Sequence, residues 1–591
     1  MGRRVDTSST FRLPAAPELG PAAANVPRPR RKHLGALLFL LALVPIVFVG
    51  FIIDRYGVDV PYADEWSNLI LVERWDAGQL TLGDLIRPHN GHRIFVPRLI
   101  FLAFAEMAHG NVRAEMFFSL FVCVLTSAGI LYLLRRTVCT GWPVTLALWA
   151  LINLLLFSPI QAENWLWGFQ FQIFLSNLCV AGAVIAVMAN LRTPIRVALA
   201  ALFAVAGSLS FGNGLLIWPI VGLLMIARGE TRRRVLIWGG VTLVILCGYF
   251  FSYHGKDLTR AVLHWWDYPL FFFAFLGAPL AQIPNTNSMA VSVILGTVLC
   301  AAYVGLLISC LRHGVTERVG VWLALGVYPV GGAFLAAATR AHFSAQRALD
   351  SRYTTIATIL LVSLVGLAAY LYFERPSTKR KLAGLLAAGL GLILYAFNFV
   401  FVFRYLEVHW AVRSHGKAAL QFSKALDADA IFRETLFLRE GPEIVARYLA
   451  TLDRRQLTFP PRRETAALQE GENRVRRSTQ EYGAFENLKR ETGDLVVASG
   501  WSYLPAESRP AACVVFAFGQ NETWTAFALS DQRENRPDLP NKPNGGGRDL
   551  GWRGTFSLER LPPGATEISA WAVDADKGET FRLPGSFVVE K

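Results

Sequence analysis

The chain has little charge for its length. Asp, Glu, Lys and Arg supply only 17% of its 591 residues, whereas 53% are hydrophobic. Soluble domains carry about 25% charged residues, so this composition excludes an ordinary soluble protein. Apolar runs recur between residues 34 and 404 and then stop, and their length of roughly 17 to 25 residues is enough to span a bilayer. The sequence predicts a polytopic α-helical membrane protein.

Cysteine is scarce as well. The chain has 7 cysteines, and Cys513 is the one that follows the last apolar run. The other six lie in or beside apolar runs, so neither a disulfide framework nor a zinc-ligand spacing can be built from them. The first apolar run lacks a small-residue cleavage site, which predicts an uncleaved signal anchor.

The formal net charge of +14 invites a nucleic-acid interpretation. The basic residues, however, cluster in every second loop, which is the positive-inside pattern and accounts for the charge without nucleic acid. The pattern predicts a bacterial-type cytoplasmic (inner) membrane protein of the cell envelope, with a cytoplasmic N-terminus and an outer C-terminal region. The loop clusters are Arg28, Arg30, Arg31 and Lys32; Arg135 and Arg136; Arg192 and Arg196; Arg228 and Arg232, Arg233, Arg234; Arg312 and Arg318; and Arg375 with Lys379, Arg380, Lys381.

About eleven transmembrane helices are predicted. They lie near residues 34–53, 114–134, 142–158, 168–190, 195–211, 212–227, 235–253, 289–311, 320–339, 354–373 and 382–403. The apolar stretches 94–108 and 270–283 carry charges or prolines and are predicted to lie in or near the outer interface without crossing. Four regions follow: a disordered cytoplasmic N-terminus, 1–33; a transmembrane domain, 34–404; a helical region and linker, 405–490; and an outer soluble domain, 491–591.

The outer domain is predicted to be an all-β sandwich. Short alternating runs occur at 495–498, 512–518, 523–529, 554–558, 567–573 and 580–589, separated by Gly, Pro and Asp. Alternation with period two and turn residues at short intervals is typical of such a fold.

An acidic pair, Asp64 and Glu65, lies about ten residues after the first span. Ionisable residues at membrane level are costly unless they are hydrated or used, so they are functional candidates. The same first outer loop carries His89 and His92, which are candidates for substrate binding, and Arg93. A solvated loop carboxylate remains the alternative for the acidic pair.

The outer loop 340–353 carries three arginines, Arg340, Arg347 and Arg352, against the positive-inside bias. Because Arg binds phosphate through a bidentate fork, these residues and Arg93 are candidates for holding a donor phosphate. An ion pair with Asp350 or a contact with lipid headgroups is the alternative.

Two further outer turns are unusually polar. The turn 161–170 contains Glu163, Asn164 and Trp167, and the turn 210–214 contains Asn213. Aromatic rings beside amides suit stacking on sugar rings and recognition of hydroxyls, so these four residues are predicted to bind substrate. The tryptophans also suit an interfacial aromatic belt.

The layout resembles the GT-C superfamily of membrane glycosyltransferases, which includes the aminoarabinose and protein mannosyl transferases. The resemblance rests on the acidic pair soon after the first span, the long outer loop with interfacial helices, and a second span closing on Arg135 and Arg136, and it covers about residues 34–404. It implies a polyprenyl-phosphate sugar as donor, with Asp64 as catalytic base and Glu65 beside it.

The chemistry fits the residues independently. Sugar transfer from a phosphate needs a carboxylate near the acceptor hydroxyl and cations near the departing phosphate. The partners would be a polyprenyl-phosphate sugar, a lipid or glycan acceptor and membrane lipids, and a single displacement would invert the anomeric centre. No cofactor is assigned, although a carboxylate pair can bind a divalent metal. The alternatives are a flippase or transporter of a lipid-linked saccharide, and a lipid-linked oligosaccharide transferase or polymerase.

Overall fold

The computed structural model describes residues 30–138, 140–251, 265–281, 288–313, 317–374, 378–458, 460–468, 482–520, 523–539 and 549–591. The helices are α1 Arg30–Tyr56, α2 Leu69–Asp76, α3 Leu82–Ile86, α4 Phe95–Met107, α5 Val112–Thr137, α6 Trp142–Leu156, α7 Ala162–Trp165, α8 Phe171–Met188, α9 Thr193–Ser208, α10 Ile217–Ala227, α11 Arg232–Phe250, α12 Asp267–Gly277, α13 Ser288–His313, α14 Glu317–Arg340, α15 Ser351–Glu374, α16 Thr378–Phe422, α17 Asp429–Thr435 and α18 Pro442–Arg455. The strands are β1 Pro88–His89, β2 His92–Arg93, β3 Ala467–Leu468, β4 Gly483–Arg490, β5 Leu495–Ser502, β6 Cys513–Gln520, β7 Thr523–Leu529, β8 Gln532–Glu534, β9 Gly551–Ser557, β10 Ala565–Asp574 and β11 Glu579–Glu590.

Eight helical segments within the described ranges are long and apolar enough to cross a membrane. They are His33–Tyr56, Val112–Thr137, Trp142–Trp165, Gly168–Met188, Arg232–Phe250, Ser288–Arg312, Arg318–Arg340 and Ser351–Phe373. The predicted architecture, mostly helical with apolar helices of spanning length and a C-terminal β-region, is therefore confirmed. The three other predicted spans fall on α9, on α10 and in the N-terminal half of α16; the count of eleven stays a prediction.

The outer helices present apolar side chains to their surroundings. Leu40 and Val47 on α1, Val244 on α11 and Ile294 on α13 are each more than half exposed. Apolar side chains that line one helix face after another are unfavourable in water and favourable against lipid.

Polar side chains inside the helical bundle are paired between helices. Asn153 of α6 donates to the Ala42 carbonyl of α1 at 2.8 Å and accepts from the Ser127 hydroxyl of α5 at 2.6 Å. The Trp149 indole N–H also donates to Ser127 Oγ at 2.8 Å. Such bonds hold helices together where lipid supplies no hydrophobic driving force.

Helices α4 and α12 occupy the two stretches that were predicted not to cross. At about 1.5 Å per residue, a helix of 13 or 11 residues is shorter than the hydrocarbon core. Helix α12 buries Phe271 and Phe275 among neighbouring helices. The position of both helices relative to the bilayer stays a prediction.

Two helices extend past predicted region boundaries. Helix α16 does not end near residue 404 but continues to Phe422, because Leu406, Trp410 and Ala418 keep an apolar helical face buried through that region. At the other end, α1 begins at Arg30, inside the segment predicted to be disordered. Residues 1–29 of that segment lie outside the described residues.

The C-terminal region forms two antiparallel sheets, one in the order β11-β10-β6-β7-β3 and the other in the order β4-β5-β9-β8. Each of the six predicted runs coincides with a strand, and Phe516, Trp552 and Phe556 contribute to the core that these strands enclose. Two of its strands, β3 and β4, lie before the predicted boundary at residue 491. Strand β4 was missed because it is a polar edge strand whose second half is largely exposed.

The β10–β11 turn docks the sandwich onto the helical part. Asp576 in this turn lies 2.8 Å from Lys417 Nζ of α16, 2.8 Å from Arg509 Nη2 and 3.5 Å from Arg113 Nη2 of α5. Arg55 at the end of α1 donates to the backbone carbonyl of Glu507 at 2.8 Å. The sandwich is thus joined to the ends of α1, α5 and α16, next to the first outer loop.

Candidate functional site

Asp64 lies on a short 3-10 helix, Ala63–Asn68, and its side chain is 37% exposed. The Asn90 amide donates to Asp64 Oδ1 at 3.2 Å and to Oδ2 at 3.1 Å. His89 Nε2 lies 3.6 Å from Asp64 Oδ2. Asp64, the more exposed carboxylate of the acidic pair, is therefore held by two residues that lie about 25 positions later in the chain.

A tight hairpin presents these two partners. Strands β1 and β2 pair through His89 and His92, with Asn90 and Gly91 at the turn. Both turn residues have positive φ, 45° and 82°, which is the backbone that an Asn-Gly two-residue turn favours. Asn90 was missed as a site residue, although the Asn-Gly dipeptide between polar residues is a sequence signal for this turn.

Asp64 is kept ionised by its surroundings. Burial alone would raise its pKa, but the imidazole of His89, the amide of Asn90 and the charge of Arg352 outweigh burial and hold the pKa below its usual value. Asp64 is consequently a carboxylate at neutral pH, as a general base must be.

Glu65 has a different environment. It is buried, and its two oxygens accept the backbone N–H groups of Tyr62 at 2.7 Å and Phe169 at 2.8 Å. Burial raises its pKa to about 7, against these hydrogen bonds and the charge of Arg413. The predicted catalytic role is therefore corrected for Glu65, because its carboxylate is engaged in fixing the Asp64 loop to the segment at Phe169.

Gly168 allows this close packing. A Cβ at this position would lie 2.9 Å from Glu65 Oε1 and 2.6 Å from Glu115 Oε2. Any other residue would displace the two carboxylates, so the glycine is required by the close approach.

The arginine loop reaches the hairpin. Arg340 Nη2 donates to the Asn90 carbonyl at 3.3 Å, and the Arg347 guanidinium lies 5.4 Å from the Phe343 ring centre. Neither arginine has a carboxylate within ion-pair distance among the described residues. Arg352 differs, because it donates to Asp350 at 2.6 Å. The predicted pair with Asp350 therefore holds for one of the three arginines.

Arg93, which was predicted to bind a donor phosphate, is instead buried and bonded to the backbone. Its guanidinium donates to the backbone carbonyls of Tyr249 at 2.7 Å, Phe251 at 2.7 Å and Ile86 at 3.2 Å, and it is 9% exposed. These bonds cap the end of α11 and tie it to the first outer loop. Three of the five N–H donors of this guanidinium are thus used inside the protein, and its burial leaves little access for a phosphate.

Two residues of the 161–170 turn are also wrong as direct substrate ligands. Asn164 is fully buried and donates to the Arg352 carbonyl at 2.9 Å and to Thr355 Oγ1 at 2.6 Å. Trp167 is buried and donates to the Tyr62 carbonyl at 3.2 Å. Both residues instead support their neighbours at the site, Arg352 and the segment before Asp64.

Glu163 remains partly exposed at the end of its span. Its Oε2 accepts the backbone N–H of Arg352 at 3.2 Å. Glu163 therefore lies beside the loop 340–353, and within the described residues it forms no hydrogen bond with Asp64.

His92 of the hairpin contacts the segment that contains Asn213. The His92 ring is 4.5 Å from Phe211, and burial, with the charges of Arg340 and His89, lowers the pKa of His92 to about 4. Asn213 is 8% exposed, with its amide against Gly332 of α14. His92 is therefore neutral and packs against Phe211 and Gly212, whereas Asn213 packs against α14, so neither side chain is placed beside Asp64 by a hydrogen bond or ring contact within the described residues.

Sequence reasoning missed Arg413, on the part of α16 that extends beyond residue 404. Arg413 is 2% exposed, lies 3.9 Å above the Tyr62 ring and donates to the Leu166 carbonyl. Burial lowers its pKa, against the attraction of Tyr62 and Glu65. Its only sequence signal is a charge on an otherwise apolar helix face, in a region taken to be outside the site.

Within the described residues no group of three or more His, Cys, Asp and Glu side chains could hold a metal ion. Asp64 and Glu65 are adjacent in sequence, but one faces the surface and the other is buried. The two carboxylates therefore do not face a common position at which both could bind one divalent metal.

No family model matches the chain, and comparisons with curated proteins and with solved structures also give no match.

Proposed function

We propose that the chain is a GT-C-type membrane glycosyltransferase that moves a sugar from a polyprenyl-phosphate donor to an acceptor on the outer face of the membrane. Asp64 is the general base. Arg340, Arg347 and Arg352 bind the donor phosphate.

The observation that carries the proposal is the position of Asn90. Its side chain donates to both oxygens of Asp64, and its backbone carbonyl accepts from Arg340. One turn residue thus brings together an ionised carboxylate and an arginine that has no carboxylate partner among the described residues. Transfer of a sugar from a phosphate needs these two groups on opposite sides of the reacting carbon.

Each group has a defined task in a single displacement. Asp64 accepts the proton of the acceptor hydroxyl as the acceptor oxygen bonds to the anomeric carbon. The bond from that carbon to the phosphate oxygen breaks, and the electron pair leaves with the polyprenyl phosphate. The arginines stabilise the charge that develops on the phosphate through charge-assisted hydrogen bonds. Attack from the face opposite the leaving group inverts the anomeric centre.

The proposed topology has eleven transmembrane spans, with the N-terminus in the cytoplasm and the sandwich on the outer side of the membrane. The positive-inside distribution and the eight long apolar helices support this topology. Reporter fusions test it: a reporter after Arg234 is expected to read cytoplasm, and one after Lys591 is expected to read the outer compartment. An outer signal at Arg234 would overturn the topology and, with it, the outer location of Asp64.

The activity itself is tested with the purified full chain and a panel of polyprenyl-phosphate sugars. Wild type is expected to release polyprenyl phosphate by transfer or by slow hydrolysis, and Asp64→Asn is expected to do so far more slowly. Proteoliposomes that move the lipid across the bilayer while its sugar-phosphate bond stays intact would instead identify a flippase.

A further inference from the structure

A row of four aromatic rings lies beside Asp64. Phe437, Tyr62, His409 and Tyr405 follow one another with ring centres 6.2, 6.2 and 5.4 Å apart. The two ends of the row are partly exposed, Phe437 by 47% and Tyr405 by 41%, and the Arg439 guanidinium lies 4.1 Å from the Phe437 ring centre. The row runs from Phe437, which follows α17, through Tyr62 to His409 and Tyr405 on α16.

The chain holds Phe437 in this place against its backbone preference. Phe437 has φ 58° and Ala63 has φ 49°, a region in which a bulky residue is strained. The Ala63 N–H donates to the Leu436 carbonyl at 3.0 Å. Since Ala63 precedes Asp64 and Leu436 precedes Phe437, this bond ties the segment that carries the ring to the segment that carries the carboxylate.

Polar nitrogens without partners in the described part of the chain lie in the row, on His409, and beside it, on Arg413. Arg413 Nε and Nη2 and His409 Nε2 are buried without a hydrogen-bond partner among the described residues. A buried donor without a partner costs about 1–3 kcal/mol. These nitrogens are buried, so a ligand on the row would reach them only through water, which a ligand rich in oxygen can hold in place and a hydrocarbon chain cannot.

These features together match one class of ligand. A pyranose ring has an apolar face of C–H groups that packs on an aromatic ring and a rim of hydroxyls that hydrogen-bond. Exposed aromatic faces, a carboxylate and the Asn90 amide are what such a ligand contacts. A purely apolar lipid chain would satisfy the rings alone.

We propose that this row is the acceptor site and that the acceptor is a saccharide whose terminal ring stacks on Phe437 with one hydroxyl at Asp64. The inference rests on the proposed function for the reaction, in which the hydroxyl proton passes to Asp64 and the oxygen bonds to the anomeric carbon of the donor. The binding of a sugar ring to Phe437, however, can be measured without any transfer.

The test uses the full chain in detergent, saturation-transfer NMR, and methyl α-D-mannopyranoside and methyl β-D-galactopyranoside as probes. Wild type is expected to transfer saturation to the ring protons of at least one probe. Phe437→Ala and Phe437→Gly are expected to weaken that binding about 3- to 10-fold, the effect of losing one aromatic contact, and Phe437→Tyr should restore it. The glycine variant also relieves the positive φ, so it keeps the test valid if the alanine variant folds poorly.

Ile444→Ala is the matched control, because Ile444 is an exposed apolar residue of the neighbouring α18. It is expected to leave probe binding unchanged. The proposal is overturned if wild type binds neither probe, if both Phe437 variants bind as wild type does, or if Ile444→Ala causes the same loss. It is also overturned if the difference in emission between a Phe437→Trp variant and wild type, which has 16 tryptophans, is blue-shifted in liposomes and altered by neither probe, since the ring would then lie in lipid. Probe binding without transfer from any donor would reject the proposed reaction and keep the saccharide site.

Discussion

Asn90 donates its amide to both carboxylate oxygens of Asp64, at 3.2 and 3.1 Å. Because an amide N–H stabilises the ionised form, this contact helps to keep Asp64 a base while leaving it 37% exposed to an incoming hydroxyl. The Asn90 backbone also accepts from Arg340. A single turn therefore sets the distance between the proposed base and the proposed phosphate site.

The first prediction concerns Asp64→Asn. The substitution keeps the shape of the side chain and removes the base, so turnover should fall about 100-fold or more, with donor affinity and expression little changed. Steady-state kinetics and donor binding on the purified variant measure this. Asn90→Ala, which leaves the base but not its orientation, should cause a smaller loss. Near-normal turnover in Asp64→Asn would remove Asp64 from the reaction.

The second prediction concerns the arginine loop. Arg340→Ala and Arg347→Ala should each weaken donor binding by about 1.5–3 kcal/mol, the size of a hydrogen bond to a charged group, and Lys should rescue only in part because it lacks the planar fork. Titration of donor lipid into the detergent-solubilised chain measures the affinity. Unchanged affinity in both variants would assign the loop to headgroups or to folding.

Arg93→Ala is the matched control for that series. Since Arg93 donates to three backbone carbonyls, its removal should lower the melting temperature and leave the donor affinity of the folded protein unchanged. A loss of donor affinity without a loss of stability would restore Arg93 to the phosphate site.

The third prediction is a pH dependence. The pKa of Glu65 is raised from 4.5 to about 7 by burial, so the folded state favours its protonated form. The stability that this contributes is fully present below pH 4.5 and is lost as the pH rises through about 7. The melting temperature of Glu65→Gln should therefore rise relative to wild type between about pH 5 and about pH 8. A difference that is the same at both pH values would contradict this account of Glu65.

The fourth prediction concerns the contact between the sandwich and the helices. Burial would raise the pKa of Asp576, but Lys417, Arg509 and Arg113 outweigh it and hold the pKa well below its usual value. The stability from this cluster is present above the ordinary pKa of Asp and is lost as the pH falls through the folded value.

Asp576→Asn should accordingly cost about 1.5–3 kcal/mol and increase hydrogen exchange in the β10–β11 turn and at the start of α5. Asp538→Asn is the control, because Asp538 forms an exposed pair with Arg536 at 2.7 Å, and it should change neither stability nor exchange. Equal effects of the two substitutions would show that the docking contact is not specific.

The sequence by itself determined the mostly helical bundle, the apolar helices of spanning length, and six of the strands. These features depend on runs and periods of hydrophobic residues, which are local properties of the chain. The sequence did not predict the edge strand β4 or the continuation of α16 to Phe422. The reason is the same, because neither the start of β4 nor the end of α16 coincides with a change in apolar composition.

Only the tertiary structure decided which polar residues form the site. Asp64 and Glu65 are neighbours in sequence, yet one is exposed beside Asn90 and the other is buried against Phe169. Arg93 and Arg340 are both arginines of loops predicted to be outside, yet the first donates to backbone carbonyls at the end of α11. The partner that settles each role is far away in the chain, as with Arg340 and Asn90, which are 250 residues apart. Composition and spacing do not identify such a partner, because burial and hydrogen bonding are determined only when distant segments pack together.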